Sequence, residues 1–345
     1  MTKLLIKRYL LVLLILFLMI FVYKINFQKN KLSAYENKKN EVSKQDLKLE
    51  YNETSLTEDD TDNSDLNNFI DCYKQPINKD AFTEEMNKKY NEIEELFSNS
   101  SETVSFSYED LYTGLHISYN EDHSYFAAST IKAAVVIYIY EMYLKGEINL
   151  DEVMTYTINY YVEGSGSIQY ASEGSEYSIK ELIRKAIVES DNIAYQMLSS
   201  RVYNTDIREY WSNLGATTFW KSNSIWSSGT SKDGAIYMKQ IYKFTENHPE
   251  LKTEILSLFY NSVARSITLN DNSILIAHKS GWNSANIHDL AIIYDKQPYV
   301  LSINSLKGYT DYKSFFDKAS NLINEFHNLY WREKSSYCYQ NVFNN

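Results

Sequence analysis

From Tyr9 to Tyr23 fifteen apolar residues follow one another without interruption, preceded by Lys3, Lys7 and Arg8 and closed by Lys24. The run lies between the apolar core of a signal peptide and the roughly 20 residues of a spanning helix. Its leading cations predict that the amino end stays inside and everything after it outside. No small-x-small cleavage site follows directly, and the nearest, Leu32-Ser33-Ala34, is distant. Residues 1–24 are therefore expected to form an uncleaved, single-pass anchor in the cell membrane, with secretion after cleavage as the alternative. No cysteine follows closely enough for a lipoprotein. From residue 25 to 71 the chain turns polar, and Glu53 to Asp71 holds seven acids and no base, the pattern of a solvated, disordered tether. One folded domain is expected over residues 72–345.

Within that domain, apolar spacing predicts a helix from Asp80 to Phe97, then strands at Val104–Tyr108 and Leu115–Tyr119 joined by a turn at Thr113-Gly114. Helical patterns follow at Ser129–Lys145, Ile179–Glu189, Asn192–Arg201, Lys232–Phe244 and Leu251–Val263. Strand-like runs return at Ser273–Ser280, Asp289–Tyr294 and Tyr299–Asn304, and Tyr312–Tyr330 closes as a helix. Strands at both ends with helices between them predict one sheet whose partners are joined across a long helical insertion. No internal repeat is visible.

Composition narrows the function. The 345 residues are 44% hydrophobic and 15% aromatic with ten Gly and three Pro, which excludes a disordered or fibrous chain. A net charge of −11 argues against nucleic acid as a partner. The two cysteines, Cys72 and Cys338, cannot build a zinc site by themselves, and no close metal-ligand cluster such as HExxH occurs.

Three short motifs hold the candidate chemistry. In Ser129-Thr130-Ile131-Lys132, the lysine amine lies one helical turn from the serine hydroxyl. A serine becomes a nucleophile when a base takes its proton, and a lysine can do so when burial or a second cation depresses its pKa. An isolated SxxK would sooner be a helix-capping serine beside a solvated lysine. In Ser190-Asp191-Asn192, Ser190 could relay a proton to a leaving nitrogen and the Asn192 amide could bind substrate; the same triplet also serves as a helix cap. Lys279-Ser280-Gly281-Trp282 ends a strand-like run, where a cation, a hydroxyl and a glycine make a rail for a substrate carboxylate, or simply a strand ending in a turn.

SxxK, SDN and a Lys-Ser-Gly triad in this order resemble the signature of class A β-lactamases and penicillin-binding proteins. The likeness extends through "ISYNEDHSYFAASTIKAAVVIYIYEMYLKGEINLDE", "GSEYSIKELIRKAIVESDNIAYQML" and "AHKSGWNSANIHDLAIIYDKQPYVLSIN" and covers roughly residues 76 to 330. It implies an α/β fold: an antiparallel sheet flanked by helices, with an inserted all-helical lobe and the site between them. It further implies acylation of Ser129, with Lys132 as proton acceptor and Ser190 returning the proton to the departing nitrogen. Asn192 would hold the substrate side-chain amide, and Lys279 and Ser280 the carboxylate. Gly281 leads to Trp282, whose backbone N–H would complete an oxyanion hole with that of Ser129. No metal or cofactor is implied. The expected partner is a β-lactam or a peptidoglycan-peptide substrate, and the expected state is a monomer.

One departure qualifies this. True class A β-lactamases carry a deacylating glutamate on a loop between the last two motifs, whereas Trp211 to Lys232 contains no acid and is flanked only by Glu209 and Asp233. Acylation with slow turnover is the leading expectation. A D-Ala-D-Ala carboxypeptidase-like enzyme and a non-hydrolytic penicillin-binding sensor or cell-wall module are the alternatives. His278 and His288 have no role in a Ser-Lys site and read as packing residues, while Tyr160 or Tyr161 could line the cleft mouth. The resemblance packs the first and last helices together, which leaves Cys72 and Cys338 open either to a disulfide or to two free thiols.

Overall fold

The computed structural model describes residues 63–100, 103–221, 224–306 and 312–343; the apolar run and the polar stretch through residue 62 lie outside the described residues. Among the described residues no helix is long and apolar enough to cross a membrane. In chain order the main elements are α1 (Asn63–Lys74), α2 (Glu84–Ser98), β1 (Val104–Asp110), β2 (His116–Tyr119), α3 (Ile131–Leu144), α4 (Ile179–Val188) and α5 (Asn192–Val202). They continue with α6 (Ile207–Asn213), α7 (Ser231–Asn247), α8 (Pro249–Tyr260), β3 (Leu275–Trp282), β4 (Ile287–Tyr294), β5 (Pro298–Ser305) and α9 (Tyr312–Phe343).

The five strands form one antiparallel sheet in the order β2-β1-β5-β4-β3. As the sequence pattern predicts, β1 pairs across the helical insertion with β5, Val104 opposite Ser305 through Asp110 opposite Tyr299. Every residue of β4 and β5 is buried, including the polar His288, Asp289, Ser302 and Asn304. One face, with Ile287, Ala291, Ile293 and Leu301, packs with residues of α2 and α9. The other, with Leu290, Ile292 and Val300, packs with α7 and the helical lobe. At the heart of that lobe, α3 is apolar around almost its whole circumference, which a helix tolerates only when enclosed on all sides.

Three features differ from the sequence reading. The α3 helix begins at Ile131, after a 3₁₀ turn over Ala128–Thr130 that holds Ser129. Two short ladders, Tyr125–Phe126 with Ser228–Gly229 and Val153–Thr155 with Glu176–Ser178, are too brief to leave an alternating signal. Residues 63–71, whose polarity reads as tether, belong to α1. There Phe69 packs against Phe343 and Tyr73 against Trp331 with their rings tilted, partners that only the folded chain brings near. The described structure thus opens with a helix at Asn63, within the stretch whose composition reads as tether.

α9 runs past the expected end at Tyr330 because its last turns are covered by α1. Cys338 is wholly buried and joined to Cys72 in a disulfide, with Cα atoms 5.7 Å apart. Lys334 reaches across to donate to the Gln75 carbonyl. A cross-link between residues 266 apart in sequence removes much freedom from the unfolded chain. Replacing both cysteines by serine is expected to cost about 2–5 kcal/mol and to lower Tm by roughly 5–15 °C in thermal unfolding. An unchanged Tm would show that packing alone fastens the two helices.

Candidate active site

Ser129 lies half-buried in the 3₁₀ turn at the head of α3, where its hydroxyl is not used as a helix cap. The turn is strained: Ala128 has φ +48°, in the left-handed region that a residue with a side chain adopts at a cost of about 1–3 kcal/mol. Its neighbours hold it in place. The Ala127 N–H donates to the Ser227 carbonyl at 3.0 Å and the Thr130 hydroxyl to the Ala127 carbonyl at 2.6 Å. Gly281 of β3 lies against the turn. A Cβ there would stand 2.7 Å from the Ser129 nitrogen and 2.8 Å from that of Thr130, so the third residue of the Lys-Ser-Gly triad must lack a side chain.

Lys132, the one cation in α3, has no exposed surface. Its Nζ donates to the Ser190 carbonyl at 2.6 Å and to Asn192 Oδ1 at 2.8 Å, with Ser190 Oγ at 3.3 Å. Lys279 on β3 is equally buried and donates to Ser190 Oγ at 3.0 Å and to the Ser280 carbonyl at 2.8 Å. The Ser190 hydroxyl thus stands between two lysines. Burial, reinforced by the charge of Lys279, pushes the Lys132 pKa well below that of a free lysine. Burial likewise brings Lys279 down to about 7. A neutral Lys132 amine has two N–H bonds, matched by the two strong acceptors, and one lone pair left to take a proton.

The Ser190-Asp191-Asn192 turn owes its shape to its middle residue. Asp191 is fully buried, caps α5 by accepting from the Ile193 and Ala194 N–H groups, each at 2.9 Å, and accepts from Ile168 N–H at 2.8 Å. Ser190 has φ +54°, which aims its carbonyl at Lys132. The segment 163–168 lies on top. Asn192 Nδ2 donates to the Glu163 carbonyl at 3.0 Å, and Gly164 and Gly166, with φ +127° and +111°, leave room for Asn192 and Asp191.

The rest of the triad is divided. Ser280 donates its hydroxyl to the Val263 carbonyl at 3.0 Å, and Trp282 ends β3 half exposed. β3 is an edge strand, so one side of the triad is not paired within the sheet.

The acid-free loop faces Lys132 with an aromatic. The Trp226 ring lies 5.7 Å from Lys132 Nζ and the Tyr195 ring 5.9 Å. Tyr195 is fixed by donating to the Ile225 carbonyl at 2.7 Å and accepting from Trp220 Nε1 at 3.2 Å. The two acids that flank the loop are placed for other work. Asp233 is fully buried and accepts from the Thr217 and Thr218 N–H groups at 2.7 and 3.0 Å, anchoring the loop, and Glu209 is exposed on α6. A separate cavity of about 550 Å³ opens behind the loop between Arg208, Gly215, Phe219 and Lys221 and contains no motif residue.

Sequence reasoning left His278, His288 and Asp289 without a part in the site. Asp289 Oδ2 accepts from the Ser266 and Ile267 N–H groups at 2.7 and 2.9 Å, and Oδ1 meets His278 Nδ1 at 3.0 Å. His278 Nε2 in turn meets the Ser262 carbonyl at 3.1 Å, next to the Val263 that receives Ser280. His288, one residue before Asp289 and on the opposite face of the sheet, contacts the Phe126 carbonyl at 3.0 Å. The only sequence signal of His288 and Asp289 was two consecutive polar residues in an otherwise apolar strand.

Known proteins resemble this chain in sequence pattern and in fold. A family model described as the Beta-lactamase enzyme family matches residues 88–327. Among solved structures, PBP-A superposes with a TM-score of 0.64 at 20% identity over 70% of this chain and 96% of that one. A mutant of PBP-A, solved as an acyl-enzyme complex with penicillin G, gives the same score and identity over 70% and 97%. A β-lactamase from Sphaerobacter thermophilus DSM 20745 gives 0.61 at 18% identity, over 70% and 98% of the two chains. No curated protein matches the chain. The family match spans well over half of the sequence and includes all three motifs, so the chain belongs to the β-lactamase enzyme family.

Proposed function

We propose that this protein is an exported serine hydrolase that forms an acyl-enzyme on Ser129 with β-lactams or related peptide-like amides and releases it slowly. The observation that supports this most directly is the pair of buried lysines sharing the Ser190 hydroxyl. A depressed Lys132 pKa supplies a base, and Lys279 supplies a positive field for a substrate carboxylate. In the first step the Ser129 hydroxyl proton passes to Lys132 Nζ as Oγ bonds the carbonyl carbon. The oxyanion would be received by the backbone N–H groups of Ser129 and Trp282. The C–N bond then breaks, and the proton returns from Lys132 through the Ser190 hydroxyl to the departing nitrogen.

Deacylation needs a base for water. The stretch from Trp211 to Lys232 contains no acid, Trp226 faces the lysine, and Asp233 is committed to the Thr217 and Thr218 amides. The apolar run at Tyr9–Tyr23 behind its cations supports anchorage to the membrane with the domain outside.

Mixing the domain with a chromogenic cephalosporin should give a burst of one equivalent followed by turnover at least tenfold slower than the burst, and Ser129→Ala should abolish both. Sustained turnover at the burst rate would overturn the slow-release reading, and the absence of any covalent adduct with labelled penicillin would overturn acylation.

Acylation should also follow pH in a defined way. Lys132 works as a base only when neutral, so the second-order acylation constant rises as pH passes upward through its depressed pKa. Lys279 attracts a carboxylate only when protonated, so the constant falls again as pH rises through about 7. Trp226→Ala admits water beside Lys132, relieves the desolvation that lowers its pKa, and should move the rising limb to higher pH while leaving the falling limb in place. A rising limb that does not move would show that Trp226 does not shield the lysine.

A further inference from the structure

His288 has no exposed surface, and both of its ring nitrogens are engaged. The Ser305 N–H donates to Nδ1 at 3.3 Å, which leaves the proton on Nε2, and Nε2–H donates to the Phe126 carbonyl at 3.0 Å. Burial keeps the ring neutral, its pKa pushed down to about 4, so the donor persists across the working pH range. The Tyr125 ring meets it edge to face at 5.3 Å and limits its rotation. In the β3–β4 register His288 stands directly opposite Gly281, the glycine against which the backbone of Ser129 and Thr130 rests.

Phe126 lies three residues before Ser129, and the strained Ala128 lies between them. A left-handed residue keeps its conformation only where its surroundings over-determine it. On the helix side the turn is fixed by Thr130 and by Gly281. On the strand side the Ala127 N–H holds the Ser227 carbonyl, and the Phe126 carbonyl is held by His288.

We propose that His288 is a positioning residue for the nucleophile: its Nε2–H pins the Phe126 carbonyl and so keeps Ser129 aimed, without touching the substrate. The proposal rests on the acyl-transfer reading above. Release of the Phe126 carbonyl lets Ala128 relax toward ordinary backbone angles, and the Ser129 N–H and Oγ move with it. This differs from a packing role, because the position of one N–H matters rather than the volume of the ring.

The test compares two amides of similar polarity. In His288→Gln the side-chain N–H reaches about as far as Nε2, whereas in His288→Asn it reaches only about as far as Nδ1. The expected result is that H288N is acylated by fluorescent penicillin about 10²-fold more slowly than the parent, the scale of loss for a misplaced reacting group, and that H288Q stays within about tenfold. Amide hydrogen exchange over residues 126–131 should quicken in H288N and not in H288Q. Equal acylation rates and equal exchange in the two variants would overturn the proposal. Should penicillin fail to acylate the parent protein, the functional reading falls, yet the exchange comparison still decides whether His288 holds the turn.

Discussion

Two lysine side chains withdrawn from water and set around one hydroxyl dictate most of this structure. An unpaired buried cation is costly, so each lysine needs acceptors that the protein itself supplies. For Lys132 these are the Ser190 carbonyl and Asn192 Oδ1; for Lys279 they are the Ser280 carbonyl and the Ser190 hydroxyl. Aiming the Ser190 carbonyl inward requires a left-handed Ser190, which Asp191 secures by capping α5 and gripping Ile168. Gly164 and Gly166 allow the overlying segment to come down onto the turn. Like charges at this range disfavour each other, so one lysine is most readily neutral when the other is charged, a division of labour that a Ser-Lys site needs.

The sheet and the helical lobe meet along this cluster and contribute unlike things. The lobe provides the Ser129 turn, Lys132 and the SDN turn at helix starts, the last of these held by the Asp191 cap. The sheet provides Lys279 and Gly281 on an edge strand, where substrate can approach backbone that is not paired within the sheet. β4 braces both walls through consecutive residues on opposite faces, His288 toward the Ser129 turn and Asp289 toward the 262–267 segment behind Ser280.

What could be read from the sequence was what is encoded locally. Apolar spacing marked a helix over Ser129–Lys145, and the strand-like run before Lys279 placed the triad on a strand. The family resemblance implied that the three motifs share one site, and the contacts of the Ser190 hydroxyl with both lysines came only with the structure. Other features depend on partners distant in the chain and left no local trace. α1 looks like tether until Trp331 and Phe343 cover it. Asp233 could have been a base, and only the Thr217 and Thr218 amides show it to be an anchor. His288 read as packing because its hydrogen bond reaches a carbonyl 162 residues away.

The clasp between Cys72 and Cys338 bears on how the domain takes a load. A pull on the chain ahead of residue 63 enters through α1 and meets the disulfide before it reaches α2 or β1. There it passes into the C-terminal end of α9, a helix seated lengthwise against α2 and the sheet, so that the force acts as shear along a packed helix. Without that bond the same pull would begin to peel the domain from α2 toward β1, the strand that joins the two halves of the chain. The covalent link thus shields the sheet, and with it the edge that presents Lys279, from tension transmitted along the backbone.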